Sequence, residues 1–507
     1  MSTRTVSKAS TDICLLLEGT WPYVRGGVSS WINQMILGMP EMTFSIVFIG
    51  GLRSASPVRQ YAIPDNVKHI EEIYLEDAWT LNSHLPVSIK EPKNTDALNA
   101  FYSFLHAPEM PNDALAEQVL DSLVKGMVSR DVVMRSQASW EILTENYYQH
   151  CSDPSFVDFL WTLRTMQAPL LALAELAQRL PKARAVHSIS TGYAGFMGCI
   201  LRKAWGCDFI LSEHGIYTKE RKIDLAQAPW IAESPDKSFR GGLNVNSSYM
   251  RDLWIRFFER IGQLVYHSAN PIVSLYEGNR ERQIRDGADE QRTLVIPNGI
   301  NLTDWEDVYL NRHDNAAPII GLIGRIVPIK DLKTFIRSVR SVISKLPQAQ
   351  AWIVGPEEED PHYVNECRSL VDSLGLQDHI KFLGFQNIKE ILPRLDVMVL
   401  TSISEAQPLV ILEAWAAGTP VVATDVGACR ELIYGITAED KAIGPAGEVV
   451  AIADPLATAR SICTILSDHD YWKKLQANGL TRVNRFYSET LMLDRYRALY
   501  NTAREIL

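Results

Sequence analysis

The chain has 507 residues, with 50 basic and 60 acidic side chains and a formal net charge of −10. A chain of this length is too long for one ordinary hydrophobic core and predicts two or three domains. The net negative charge argues against a general nucleic-acid or anionic-membrane surface. We therefore expect no nucleic-acid partner and only local phosphate sites.

Cysteine usage and hydropathy indicate the compartment. The seven cysteines are scattered, with no C-x-x-C spacing, which fits reduced thiols better than a disulfide framework or a zinc site. The amino terminus reaches Glu18 after a short apolar run, which favours a first strand over a signal peptide. No uninterrupted apolar window reaches the roughly 18 residues of a membrane span. We expect a soluble, cytoplasmic protein.

Short β-rich apolar runs recur through the first half, separated by helix-length segments. This alternation predicts an α/β fold with a parallel sheet, in a first domain at residues 1–312. Within it, residues 71–184 change to helical spacing, as in ALAEQVLDSLVKGMVSR, which predicts a helical elaboration. The predicted strands are ICLLLEG, FSIVFIGG, AVHSIS, FILSEHG, PIVSL and TLVIPNG.

The second half alternates more regularly and predicts a second doubly wound domain at 313–485. The polar stretch from Asn301 to Pro318 marks the junction, and a final helix within 486–507 could cap either domain or cross back to the first. In such folds ligands bind at the carboxyl ends of strands, and two facing sheets form a cleft. The predicted strands are PIIGLIG, AWIVG, IKFLGF, DVMVLTS and PVVATD.

Two loops of the first domain are candidates for ligand contact. Gly26 and Gly27 precede an apolar-periodic helix, where the backbone could approach a ligand or simply form a tight turn. The aromatic loop Trp21 to Tyr23 could stack on a sugar or pack in the core. His214 and His187 each end a predicted strand, although a lone histidine is more often structural.

The loop GRIVPIKDLKTF follows the first strand of the second domain. It places Gly324, Arg325 and Lys330 where a dinucleotide fold would carry G-x-G-x-x-G. The two cations suit a diphosphate, with solvated surface charge as the alternative. The missing glycine pattern disfavours a dehydrogenase.

The stretch SISEAQPLVILEAWAAGTPVVATD predicts a helix that begins at Pro408 and ends near Gly418. The free N–H groups of Leu409 and Val410 could receive phosphate or sugar oxygens. Glu413 needs a structural arginine or a ligand such as ribose, because an unpaired buried carboxylate is costly. Glu405, in the loop before the helix, could hold a hexose or be a helix-start acid.

We expect no metal site. The one D-x-D, Asp468 to Asp470, is typical of a helix start in the carboxyl-terminal tail. Arg325, Lys330 and the helix start would take over the role of a metal in stabilising a leaving diphosphate.

The spacing of Glu405 and Glu413 matches E-x7-E of the family 4 retaining glycosyltransferases, and GRIVPIK and AWAAGTPVVATDVGACREL resemble its flanking motifs. The resemblance implies the GT-B fold, with two facing Rossmann-like domains and an interdomain cleft. It implies that Arg325 and Lys330 neutralise the donor diphosphate, that Glu405 contacts the transferred sugar and that Glu413 contacts the ribose. Gly427 and Glu431 would belong to the same pocket wall.

The resemblance also makes His214 a lining residue of the donor-sugar site and Gly26–Gly27 its glycine loop. Gln407 and Pro408 depart from the usual Phe-Gly. The predicted catalytic residues are Glu405, His214, Arg325 and Lys330. The predicted donor-binding residues are Gly26, Gly27, Gly324, Arg325, Lys330, Glu405, Gln407, Pro408, Leu409, Val410 and Glu413.

The first-domain text CLLLEGTWPYVRGGVSSWINQ resembles the soluble glycosyltransferases of bacterial Pel exopolysaccharide systems. That resemblance implies UDP-glucose as donor, a glycan acceptor, no cofactor, and partners among the inner-membrane Pel synthase components, which could recruit the protein to the membrane. Two other classes stay open, namely a nucleotide-sugar hydrolase or epimerase, and a nucleotide-sugar-binding subunit or regulator with little turnover.

Overall fold

The structure is a computed structural model that describes residues 10–53, 58–79, 91–92, 94–106, 112–151, 155–227, 249–312 and 316–505. The chain forms two compact units. Unit 1 comprises residues 1–274, 280–294 and 497–507, and unit 2 comprises residues 275–279 and 295–496.

The sheet of unit 1 has seven strands in the order β3-β2-β1-β4-β5-β6-β7. The pairs β3-β2, β2-β1, β1-β4, β4-β5 and β5-β6 are parallel, as the apolar runs predict. The edge strand β3 was not predicted, because its sequence VKHIEEIY is only partly buried and lacks a continuous apolar run. The strands are β1 Thr11–Glu18, β2 Phe44–Gly50, β3 Val67–Tyr74, β4 Ala183–Ser188, β5 Asp208–Glu213, β6 Ile272–Ser274 and β7 Thr293–Val295.

The helices between β3 and β4 form the predicted helical elaboration, which starts after β3 ends at Tyr74. They share one hydrophobic core with the sheet: Phe101 and Leu163 from these helices join Leu16 and Val186 from the strands. The helices that begin in the first part of the chain are α1 Gly27–Leu37, α2 Thr95–His106, α3 Asp113–Val124, α4 Arg130–Arg135, α5 Gln137–His150, α6 Phe156–Ala177, α7 Tyr193–Trp205, α8 Tyr217–Gln227, α9 Tyr249–Ser268 and α10 Glu277–Arg285.

Unit 2 has a six-stranded sheet in the order β10-β9-β8-β11-β12-β13, with every neighbouring pair parallel. Ile320 and Leu322 of β8 face one core cluster, whereas Ile319 and Ile323 pack on the other, so the sheet is covered on both faces. The edge strand β13 was not predicted, because it is four residues long and only partly buried at its centre. The strands are β8 Ile319–Ile323, β9 Gln350–Val354, β10 Ile380–Gly384, β11 Val397–Leu400, β12 Val421–Thr424 and β13 Gly447–Val450.

The helices of this second part alternate with its strands. They are α11 Glu306–Leu310, α12 Leu332–Ile343, α13 Pro361–Ser373, α14 Ile388–Ile391, α15 Leu409–Ala416, α16 Cys429–Tyr434, α17 Ala438–Lys441, α18 Pro455–Ser467, α19 His469–Phe486 and α20 Glu489–Glu505. Both sheets follow one strand order of the doubly wound type, with the first strand of each unit at the centre. The predicted fold class, two Rossmann-like domains of the GT-B type, is confirmed.

The two units divide the chain at different residues from the sequence-based boundary at 312 and 313. Residues 295–312 lie in unit 2. There Ile300 pairs with Ser488, and its N–H donates to the Tyr487 carbonyl at 3.0 Å. Residues 313–315 of the predicted junction lie outside the described residues. Helix α20 begins in unit 2, and from Arg497 onward its residues belong to unit 1.

The structure also bears on the cysteines and on membrane-spanning helices. All seven cysteines are free thiols. Among the described residues, no helix has the length and apolar character needed to cross a bilayer.

Candidate active site

The loop between β8 and α12 is held against the end of β9. Gly324 N–H donates to the Val354 carbonyl at 2.9 Å. A Cβ on Gly355 would lie 1.8 Å from the Gly324 carbonyl oxygen, so only glycine permits this approach. Asp331 caps α12 by accepting from the Thr334 N–H. The loop therefore leaves the centre of the sheet in a fixed path.

Lys330 and Glu405 meet at the carboxyl edge of this sheet. Lys330 Nζ lies 2.5 Å from Glu405 Oε1, and the two side chains are 20% and 14% exposed. Thr401 Oγ1 donates to the Lys330 carbonyl at 3.0 Å, and Ile403 N–H donates to the Ile329 carbonyl at 2.8 Å. These bonds join the two loops, so the predicted cation and acid lie side by side on neighbouring strand ends.

Gly427 fixes the loop that carries Glu405. Its φ is +51°, and a Cβ there would lie 2.2 Å from the Glu405 carbonyl oxygen and 2.4 Å from that of Ala406. The next N–H, of Ala428, donates to the Ala406 carbonyl at 2.7 Å. Gly427 thus supports the predicted pocket wall through the backbone.

Helix α15 starts directly after this loop, with Pro408 as its N-cap. No side chain caps it, and within the described part of the chain the N–H groups of Leu409 and Val410 donate to no acceptor. These N–H groups form the positive end of the α15 helix dipole, and the Glu405 loop directly precedes them in the sequence. The arrangement suits an anion or a sugar hydroxyl.

Gln407 has a structural role that sequence reasoning missed. Its buried side chain accepts from the Asn298 N–H at 2.7 Å and donates to the Asn298 carbonyl at 3.3 Å. It therefore ties the start of α15 to the segment after β7. Ser402 was also missed: its Oγ is buried without a hydrogen-bond partner in the described residues.

Glu413 is the fifth residue of α15 and is largely buried. Burial raises the pKa of Glu413 to about 7, and the charge of Lys389 acts in the opposite direction. Lys389 forms its ion pair with Asp304, with Nζ 3.3 Å from Oδ2. No hydrogen bond or ion pair within the described residues reaches the Glu413 carboxylate. The structural arginine considered from the sequence is not found there.

Arg325 pairs with a different acid from Lys330. Its Nη1 lies 2.6 and 2.8 Å from the two carboxylate oxygens of Glu359, and both side chains are about half exposed, at 56% and 50%. An exposed pair of this kind contributes little to stability. The guanidinium is free to exchange Glu359 for another anion at small cost.

His214 lies in unit 1, at a cavity of about 670 Å³ formed by the ends of β1, β2, β4 and β5. Its ring packs edge-on against Trp31, with centroids 4.7 Å apart. Burial lowers the pKa of His214 to about 4, and its Nε2 has no hydrogen-bond partner among the described residues. The neutral ring can therefore serve a ligand hydroxyl.

The same cavity contains a carboxylate and an aromatic wall. Glu18 accepts from the Tyr217 hydroxyl at 2.8 Å and lies 3.9 Å from Arg221. Trp254 and Phe258 also line the cavity. Carboxylates and flat apolar rings are the surfaces on which sugars bind.

Other first-domain candidates have structural explanations. His187 is bonded at both nitrogens, to the Tyr500 hydroxyl at 2.7 Å and to Ser212 Oγ at 2.8 Å. Trp21 is fully buried. In contrast, a Cβ on Gly26 or Gly27 would meet no described atom within 4 Å, so no close packing requires glycine at either position.

Glu431 and the D-x-D also serve the fold. Glu431 accepts from the N–H groups of Glu277 and Gly278, at 2.9 and 3.0 Å, and so caps α10. Asp468 caps α19 by accepting from the Tyr471 N–H at 2.9 Å, which is the predicted helix start. Within the described residues, no group of three or more His, Cys, Asp or Glu side chains is arranged to hold a metal ion.

Comparison with protein-family models gives two matches. The model described as "Domain of unknown function (DUF3492)" matches residues 11–291, more than half of the chain. The chain belongs to the DUF3492 family. The model described as "Glycosyl transferases group 1" matches residues 317–468 of this DUF3492 protein, the part that carries Lys330, Glu405 and Glu413.

Curated relatives match part of this DUF3492 protein. The lipopolysaccharide core biosynthesis mannosyltransferase LpsB of Rhizobium meliloti (strain 1021) is 34% identical over 180 residues, which are 34% of this chain and 49% of LpsB. The α-maltose-1-phosphate synthase of Mycolicibacterium smegmatis is 26% identical over 291 residues, 54% of this chain and 68% of that protein. The chain spans about half the length of the first curated relatives that it matches.

Solved structures share the fold over almost the whole DUF3492 chain. Alr3699/HepE of Anabaena, solved in complex with UDP, has a TM-score of 0.58 and 14% identity over 97% of this chain and 99% of its own. Sucrose-phosphate synthase of Thermosynechococcus elongatus has a TM-score of 0.56 and 17% identity over 98% and 100%.

Proposed function

We propose that this protein is a retaining, metal-independent glycosyltransferase that transfers glucose from UDP-glucose to a glycan acceptor. The supporting observation is Glu413, a largely buried carboxylate with no partner in the described residues. It lies on α15, whose uncapped start directly follows the loop that carries the Lys330–Glu405 pair. A buried carboxylate without a partner needs a donor from a ligand, and paired ribose hydroxyls are suitable donors.

The diphosphate site consists of Lys330, Arg325 and the N–H groups of Leu409 and Val410. Lys330 pairs with Glu405, and a donor diphosphate would compete for that ammonium group. The group 1 glycosyl transferase match covers these residues, and HepE was also solved in complex with UDP-glucose. Both support a UDP-sugar donor.

The reaction breaks the bond between the sugar C1 and the β-phosphate oxygen and forms a bond from C1 to the acceptor oxygen. UDP leaves with the electron pair, and its phosphate oxygen takes the acceptor proton on the same face of the sugar. Lys330, Arg325 and the start of α15 stabilise the charge that grows on the diphosphate. Glu405, released from Lys330, accepts from hydroxyls of the transferred sugar.

The biological role proposed here is synthesis of the Pel exopolysaccharide, beside inner-membrane synthase components. It rests on the first-domain text that resembles PelF, the soluble glycosyltransferase of that system. The DUF3492 match covers the same residues without assigning a function to them.

The test is incubation of the purified protein with a panel of UDP- and GDP-sugars in excess EDTA, with a glycan acceptor, followed by nucleotide release and product analysis. We expect UDP release from UDP-glucose and an α-linked product. A binding subunit without turnover would bind UDP but would form no UDP from UDP-glucose. A hydrolase would yield free glucose. Either result would exclude the proposed activity.

A further inference from the structure

A second groove lies in unit 1 between α8, α9 and α10 and encloses about 750 Å³. None of the donor or acceptor roles above uses it. Its volume is within the range of small-molecule sites.

Helix α8 separates this groove from the His214 cavity and presents opposite charges to the two. Glu220 and Asp224 line the His214 cavity, accompanied by Arg221. Lys219 and Lys222 line the groove. Residues spaced by three or four share a helix face, so each charge pair occupies one face.

The groove carries more positive than negative charge. Its described lining has four cations, Lys219, Lys222, Arg282 and Arg285, against the two acids Glu259 and Asp286. Lys222 lies 3.4 Å from Glu259, and Arg282 lies 2.8 Å from Asp286. Neither Lys219 nor Arg285 makes a hydrogen bond or ion pair within the described residues. Two cations are therefore uncommitted in a chain whose net charge is −10.

The wall of the groove adds an unused hydroxyl. Thr218 lines it, and its Oγ1 is buried with no hydrogen-bond partner among the described residues. Gly262 of α9 packs against this residue, since a Cβ there would lie 2.7 Å from Thr218 Cγ2. A buried hydroxyl without a partner is costly unless a ligand supplies one.

We infer that this groove binds an anion carrying a phosphate or diphosphate group, at a site separate from the donor site. Lys219 and Arg285 supply the charge, and Thr218 donates to a phosphate oxygen. A soluble phosphate ester and a phospholipid headgroup both carry such a phosphate group. The two arms of the experiment below distinguish these two kinds of ligand.

The soluble arm titrates inorganic pyrophosphate into the full-length protein by calorimetry, with UDP present to fill the donor site. The test variant is Lys219→Glu with Arg285→Glu. The control is Lys68→Glu with Lys182→Glu, two exposed lysines of unit 1 outside the groove and with the same change in net charge. The lipid arm measures co-sedimentation of all three proteins with phosphatidylcholine vesicles, with and without phosphatidylglycerol.

We expect the groove variant to bind at least about tenfold more weakly than the control in one arm, as loss of charged hydrogen bonds implies. Loss in the pyrophosphate arm identifies a soluble phosphate ester, and loss only with phosphatidylglycerol vesicles identifies a lipid headgroup. Equal weakening in the control, or no groove-dependent binding in either arm, overturns the inference. Thermal unfolding checks that each variant is folded. If the Lys219→Glu, Arg285→Glu variant is not folded, the Lys219→Ala, Arg285→Ala variant is used in its place.

Discussion

Glu405 and Glu413 stand eight residues apart, and the fold gives them different electrostatic surroundings. Glu405 has the Lys330 ammonium group at 2.5 Å. Glu413 has no such partner in the described residues, and burial raises its pKa to about 7. The first is held as an ion pair until a ligand competes for its lysine. The second changes its protonation near neutral pH and responds to whatever donates to it.

Lys330→Ala and Glu405→Ala should each lower kcat/KM for sugar transfer by about 100-fold or more, because each removes a group that we propose contacts the diphosphate or the sugar. The measurement is UDP release from UDP-glucose with purified, folded variants. Lys333→Ala is the matched control: Lys333 of α12 pairs with Glu366 of α13 at 2.6 Å, and its loss should leave activity unchanged. Full turnover by either test variant would remove that residue from the mechanism.

Glu413→Gln should weaken UDP binding by about tenfold, because an amide offers fewer acceptor sites to the ribose hydroxyls than a carboxylate. In the natural protein, UDP affinity should rise with pH through about 7, since ligand donors favour the ionised form of Glu413. Calorimetry between pH 5.5 and 8.5, roughly one and a half pH units either side of that pKa, measures both. A Gln variant that retains the pH dependence would contradict the assignment, and Glu439→Gln, at an exposed position, is the control.

The same residue affects stability. Glu413 keeps its proton in the folded state between its ordinary pKa of 4.5 and about 7, whereas the unfolded chain has lost it. The free energy of unfolding should therefore fall as pH rises through this window, by on the order of 3 kcal/mol in total. Denaturant unfolding of Glu413→Gln should show this fall reduced by that amount.

At the scale of elements, the site depends on how the loops after three strands support one another. The loop after β8 holds Lys330, the loop after β11 holds Glu405, and the turn before α16 holds Gly427 against the second loop. Backbone hydrogen bonds join each neighbouring pair of loops. The position of Glu405 is therefore set by backbone contacts.

Gly427→Ala should displace the Glu405 loop, because the new Cβ would overlap two carbonyl oxygens at a φ of +51°. We expect a loss of stability above about 2 kcal/mol and a large loss of transfer activity. Gly375→Ala is the control: Gly375 has φ +65° but no described atom within 4 Å of a Cβ, so it should cost only about 1 kcal/mol and leave kcat unchanged. Equal effects on activity would show that loop contact is not the cause.

At the scale of the whole molecule, each unit has its own sheet and its own hydrophobic core. The core of unit 1 includes the helical elaboration, and the two clusters of unit 2 cover the two faces of its sheet. Units with separate cores can unfold in separate transitions. All residues proposed for UDP binding by side chain or helix start lie in unit 2.

Differential scanning calorimetry should resolve two transitions, and UDP should raise only one of them. At a UDP concentration 100 times Kd, the expected stabilisation is about 2.7 kcal/mol. Lys330→Ala should reduce the shift. Equal movement of both transitions with UDP would show that the nucleotide site is not confined to unit 2.

The sequence by itself determined the number of domains, the central strands and the loops that carry the site. The sequence of a buried parallel strand is a continuous apolar run, and such a run can be recognised from a few neighbouring residues alone. The edge strands β3 and β13 could not be predicted in this way, because their side chains are partly exposed and their sequences lack a continuous apolar run. The positions of Lys330, Glu405 and the start of α15 at strand ends could be read from the same runs.

Only the tertiary structure decided what each polar side chain contacts. Lys330 meets Glu405 75 residues away, Gln407 bonds to Asn298 109 residues away, and Glu431 caps a helix 154 residues before it. Contacts at such separations depend on how sheets and loops pack, and no local pattern encodes them. For that reason the sequence left open whether Glu413 has an arginine or a ligand as its partner. In the fold, no hydrogen bond or ion pair within the described chain reaches its carboxylate.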